Sequence, residues 1–136
     1  MPIVTVYYPE GLANVDQLES ASKGIHQSLI EHFLIPEADY FQLYMPFPAN
    51  QFFFDPHYLL DDGQERSQNT VYISITCGPG RTVEQKKELY WAVAERVSAD
   101  LEIAMTDVFI TLNEAPAENW SFGDGVGQMI DSAKDS

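Results

Sequence analysis

The chain has 136 residues and a mass of 15.3 kDa, enough to bury a core and too few for two ordinary domains, so residues 1–136 are expected to form one domain. Its 45% hydrophobic and 21% charged content excludes a disordered or fibrous chain, and no apolar run approaches the roughly 18 residues of a membrane span. Seven basic against 21 acidic residues, a formal charge of -14 and a pI near 4.2 argue against nucleic acid or an anionic membrane as partner.

The predicted elements come in two matching sets. Sliding the chain by 68 residues lays Ile3-Val4-Thr5-Val6-Tyr7 on Val71-Tyr72-Ile73-Ser74-Ile75, and Asn14-Val15-Asp16-Gln17 on Thr82-Val83-Glu84-Gln85. The column Ala21, Ile25, Leu29, Phe33 falls on Leu89, Val93, Val97, Leu101, and Asp39 and Phe41 fall on Asp107 and Phe109. The halves 1–68 and 69–136 are therefore read as an internal repeat. Each opens with a strand rich in β-branched and aromatic residues, over 3–8 and 71–76. Asn14 and Thr82 are good helix caps, with Gln17 and Gln85 three residues on in capping-box position. Apolar residues at intervals of four predict amphipathic helices over 15–34 and 83–101, the first stopped by Pro36. A second strand follows in each half, over 40–44 and 108–112.

This is βαβ repeated, with parallel strands and a right-handed crossover in each unit. Two such units, related by a pseudo-twofold axis, predict an α/β (α+β) fold with a four-stranded mixed sheet and both helices on one face. The other face is uncovered, which predicts a homo-oligomer. The irregular stretches 45–70 and 115–136 are too aromatic for simple linkers; they read as arms across a subunit interface or as pocket walls.

Proline in second place begins the first strand. With Met1 removed, Pro2 carries a secondary amine on a rigid ring, a base or nucleophile held by a strand; with Met1 retained it is a strand-edge residue. If the two opening strands pair antiparallel at the sheet centre, residue 3 lies opposite residue 76. Pro2 then adjoins Cys77 and the loop Gly78-Pro79-Gly80-Arg81. That loop enters a helix whose first N–H groups favour an anion, and Arg81 can add a bidentate carboxylate contact. Arg81 is one of only three arginines, with Arg66 and Arg96. The single cysteine excludes an internal disulfide or multi-cysteine zinc site, and His26, His32 and His57 have no metal-ligand spacing.

Pro2 at the head of a strand, Gly80-Arg81-Thr82-Val83-Glu84-Gln85-Lys86 and Asn119-Trp120-Ser121-Phe122-Gly123 together resemble the tautomerase superfamily, in its malonate semialdehyde decarboxylase-like branch. The resemblance covers nearly the whole chain. It implies a homotrimer, a catalytic amino-terminal proline and activity on small keto or unsaturated acids without cofactor or metal. By position it makes Pro2 the catalytic proline and Arg81 the substrate-binding arginine. Asp39 becomes the aspartate that decarboxylase members use on water, and Trp120 and Phe122 the aromatic wall. Decarboxylase members carry Arg-Pro-Arg where this chain has Pro79-Gly80-Arg81, so the first arginine is absent, and Arg66 is the candidate to replace it. Asp39 has a competing structural reading, because Asp107 occupies the same place in the second unit.

Three functions follow. The leading one is a cytoplasmic, cofactor-free tautomerase in which Pro2 moves a proton on a 2-oxo acid, aryl or unsaturated, whose carboxylate Arg81 holds. The second is a decarboxylase or hydratase of a 3-oxo acid such as malonate semialdehyde, with protonated Pro2 as acid. The third is a non-catalytic trimeric binding protein that keeps the fold.

Overall fold

The computed structural model describes residues 1–130, so the last six residues of the stretch 115–136 lie outside the described residues. The chain runs β1 (Ile3–Pro9), α1 (Val15–Phe33), β2 (Gln42–Phe47), β3 (Val71–Cys77), α2 (Val83–Leu101) and β4 (Val108–Glu114). The first strands and the helices of the two units sit at the 68-residue offset throughout. Among the described residues no helix is long and apolar enough to cross a membrane.

Both helices start as the sequence predicts. Asn14 and Thr82 accept from the backbone N–H of Gln17 and Gln85, whose side chains accept in turn from the cap N–H. Helix α1 ends at Phe33, one residue short of expectation, because Leu34 turns left-handed at φ 57° and closes it.

The sheet order is β2-β1-β3-β4, with β1 and β3 antiparallel at the centre and an outer strand parallel to each. Ile3 pairs with Thr76, the register expected from the pseudo-twofold. Alternation then sorts the side chains. Val4, Val6, Ile73 and Ile75 turn inward and meet Ile25, Leu29, Leu89, Val93 and Val97 of the two helices in one core. Tyr7 and Tyr72 turn the other way and stack at 5.5 Å on the uncovered face, where Ile3, Leu43, Met45 and Phe109 are also exposed.

The second strand of the first unit is shifted. It spans 42–47 rather than 40–44, because the Asp39 and Tyr40 amides close a turn by donating to the Pro36 and Ala38 carbonyls. Pro46 is tolerated within β2 because that strand is at the edge of the sheet.

Candidate active site

Residues 104–107 and 36–39 are the same turn in the two units: Asp107 N–H donates to the Ala104 carbonyl and Asp39 N–H to the Pro36 carbonyl, each at 3.0 Å. Their carboxylates do different work. Asp107 is buried and accepts from Ser67 N–H at 2.6 Å, Ser67 Oγ at 2.8 Å and Thr70 Oγ1 at 3.0 Å, clamping the chain that leads into β3. Asp39 faces the chain that leads into β1. Its Oδ2 lies 2.6 Å from the Met1 amino group, and its Oδ1 is buried with no hydrogen-bond partner among the described residues. A buried carboxylate oxygen without a partner is costly, so its placement calls for an explanation.

The β1–β3 register carries Pro2 past the last pair of the sheet to the Cys77 end, where it is buried. The Met1 side chain lies over Gly78. A Cβ built on that glycine would fall 2.5 Å from the Met1 methyl and 3.7 Å from an Arg81 guanidinium nitrogen. Met1 therefore occupies the space between Pro2, the loop and Arg81. The guanidinium is held half-buried, donating to the Gly78 carbonyl and to the Phe33 carbonyl at 3.0 Å each, and lies over the Phe33 ring. Guanidinium donors remain for a bidentate acceptor. The α2 cap itself takes the Gln85 N–H, so the arginine is the stronger anion partner at this helix start.

The loop also departs from Arg-Pro-Arg in shape. Gly80 has φ 114°, which the ring of a proline cannot adopt. Burial pushes the Cys77 thiol upward against the pull of Arg81, which leaves it a packed strand-end residue.

The aromatic wall arrives from the chain after β4. Ala115 N–H donates to the Cys77 carbonyl at 2.8 Å, and the Trp120 indole N–H donates back to the Ala115 carbonyl, which folds the segment beside Pro2. Trp120 and Phe122 stack at 5.7 Å, and Phe41 meets Phe122 at 5.5 Å. With Pro2, Ile3 and Ser121 they line a cavity of about 400 Å³.

Pro2, Asp39, Arg81, Trp120 and Phe122 thus share one end of the sheet. Arg66 does not join them within the chain. It precedes β3 at the opposite end, with its guanidinium bound to the Asp55 and Tyr58 carbonyls, and lines a separate aromatic cavity with Tyr72 and Phe109. Sequence reasoning passed over Phe41 and Lys86. Phe41 lies two residues beyond Asp39, a spacing that could have flagged it. Lys86, in the first turn of α2, pairs with Glu114 at 3.2 Å and is a further cation at this end.

A family model described as a tautomerase enzyme matches residues 39–123. A probable tautomerase of Bacillus subtilis (strain 168), YusQ, is 42% identical over 131 residues, covering 96% of this chain and all of the relative. The chain belongs to the tautomerase family. Among solved structures, this tautomerase is similar to FG41 malonate semialdehyde decarboxylase inhibited by 3-bromopropiolate, with 27% identity, 96% of each chain covered and a TM-score of 0.85. A fused 4-OT, solved as an asymmetric trimer, shares the fold at 20% identity and a TM-score of 0.75, over 94% of this chain and 98% of that one. The fold and the enzyme class expected from the sequence are both borne out.

Proposed function

We propose that this tautomerase, with Met1 removed, uses the secondary amine of Pro2 to move a proton on a small 2-oxo carboxylic acid. The observation that carries the reading is Asp39: a half-buried carboxylate, one oxygen of which lies 2.6 Å from the Met1 amine while the other has no partner among the described residues, two residues from Phe41 of the aromatic cavity that Pro2 also lines. Neutral Pro2 accepts the enol proton and returns it to C3 as the ketone forms. Asp39 is the countercharge of the ammonium formed between the two transfers. Arg81 binds the carboxylate in the space Met1 now fills, and Trp120, Phe122 and Phe41 favour an aryl or unsaturated substituent over a very small one.

Decarboxylation of a 3-oxo acid such as malonate semialdehyde is the second reading, favoured by the placement of Asp39 and by likeness to FG41 malonate semialdehyde decarboxylase. Against it stand the missing first arginine, the loop conformation at Gly80 and the distance of Arg66 along the sheet.

A homotrimer fits both readings. The exposed apolar residues of the uncovered sheet face need a partner, and a fused 4-OT of this fold is a trimer. Sedimentation is expected to give about three times the 15.3 kDa chain mass.

Intact mass of the purified enzyme reads the state of Met1, and phenylpyruvate enol and malonate semialdehyde are then assayed side by side. Pro2→Ala is expected to lose about 10² to 10⁴-fold in kcat, the range of general acid–base catalysis. Full activity with Met1 attached would refute the mechanism.

A further inference from the structure

The two units correspond at the 68-residue offset through their first strands, helices and the turns that follow, yet they hold those turns in opposite ways. In the second unit the turn is anchored through the carboxylate, both oxygens of which are held by Ser67, with Thr70 beside them. The positions behind that turn are Ala94, Met105 and Val108, whose side chains cannot hydrogen-bond one another, and the Met105 carbonyl accepts from the Val108 N–H instead. In the first unit the same positions are His26, Glu37 and Tyr40, and they are joined.

His26, buried on α1, donates from Nε2 to the Glu37 carbonyl at 2.7 Å. Its ring stacks on Tyr40 with centroids 4.3 Å and planes 13° apart. The Tyr40 hydroxyl meets Ser22 Oγ, also on α1, at 2.5 Å. Just beyond the turn, Gln42 Nε2 donates to the Ser22 carbonyl at 3.1 Å, and the Tyr44 hydroxyl donates to Gln42 Oε1 at 3.0 Å. Helix α1 therefore grips the segment at residues 37, 40 and 42, on both sides of Asp39 and without touching its carboxylate.

We infer that His26, Tyr40 and Ser22 are positioning residues for the reaction, holding the 36–41 turn from behind so that the Asp39 carboxylate meets the amine with one oxygen free. The inference rests on Asp39 being catalytic, as proposed above. The physical reason is a conflict of duties. A carboxylate that anchors structure, as Asp107 does, has both oxygens committed to structural donors, whereas one that acts must be placed through other groups. Precision matters because a misplacement of about 1 Å can cost on the order of 10²-fold in rate.

Tyr40→Phe deletes one oxygen and keeps the ring on His26; Ser22→Ala breaks the same bond from the other side. Each is expected to lower kcat about 5 to 30-fold for phenylpyruvate tautomerisation, with KM within about twofold. The double variant should be no slower than the slower single. Adding Tyr40→Phe to Asp39→Asn should cost nothing more, since the bond acts only through that carboxylate. His26→Gln, which retains a side-chain N–H, should recover most of the kcat lost in His26→Ala. Where His26→Ala fails to fold, the single-atom changes carry the test.

A readout independent of substrate is the carboxyl carbon resonance of Asp39, which Tyr40→Phe should move while that of Asp107 stays put. Parent kcat and an unmoved Asp39 resonance in Tyr40→Phe and Ser22→Ala, alongside a slow Asp39→Asn, would overturn the positioning role and leave Asp39 standing. Parent kcat in Asp39→Asn would overturn both.

Discussion

Truncating the two repeat-related aspartates compares a structural clamp with the carboxylate proposed to act. Asp107 is 2% exposed, and Ser67 supplies its carboxylate with one N–H and one O–H. Thr70 contributes less than its 3.0 Å distance suggests, because its single hydroxyl proton has an alternative at the Ser67 carbonyl, 2.7 Å away. Asp107→Ala therefore strips a charged acceptor from two donors. At about 1.5 to 3 kcal/mol each, the loss is roughly 3 to 6 kcal/mol, a large part of a stability that is ordinarily about 5 to 15 kcal/mol. For a chain of this size, that lowers Tm by roughly 10 to 25 °C. Asp39→Ala removes one contact and also an oxygen that has no partner, so its cost should stay below about 2 kcal/mol while activity falls. Urea unfolding and initial rates on both variants, at one protein concentration because assembly couples to stability, measure the two effects. Equal destabilisation by the two substitutions, or less than about 1 kcal/mol for Asp107→Ala, would refute the asymmetry between the units.

Two further outcomes follow from the site. Arg81→Ala leaves a substrate carboxylate without its charged donor, and kcat/KM should fall by about 10 to 150-fold, equivalent to roughly 1.5 to 3 kcal/mol; an unchanged value removes Arg81 from the substrate. Burial raises the Cys77 thiol above its ordinary value, so the native enzyme should react with iodoacetamide at pH 8 much more slowly than the urea-unfolded chain. Because the raised thiol stays neutral in the native state after the unfolded one has ionised, stability should decline as pH rises through the ordinary thiol range near about 8.5. Cys77→Ala should abolish that decline, and its persistence in the variant would assign it to another group.

The secondary structure and its pairing were legible in the chain because each is a matter of short-range pattern. Two capping boxes, two columns of apolar residues at helical spacing and two β-branched strands recur at one offset, and a repeated unit with one helix has few ways to cover a sheet. The Ile3–Thr76 register followed from the same symmetry. The aromatic run at 40–44 predicts a strand that starts two residues early, because Tyr40 is drawn onto His26 and Ser22, residues that only the packed helix brings near.

The site divided along the same line. Sequence pattern and the expected register brought Pro2 next to Arg81, and the resemblance to tautomerases nominated Asp39, Trp120 and Phe122. Sequence pattern could not distinguish Asp39 from Asp107, which share a residue type, a turn and a place before a strand. Tertiary structure decided between them. The chain before β3 folds back so that Ser67 and Thr70 hold one carboxylate by both oxygens, whereas before β1, among the described residues, only the Met1 amine meets the other and one oxygen is buried without a partner. Likewise the sequence shows how few cations the chain has, but not that Arg66 lies at the opposite end of the sheet from Pro2, because strand direction and loop path fix that separation and neither is a property of local spacing.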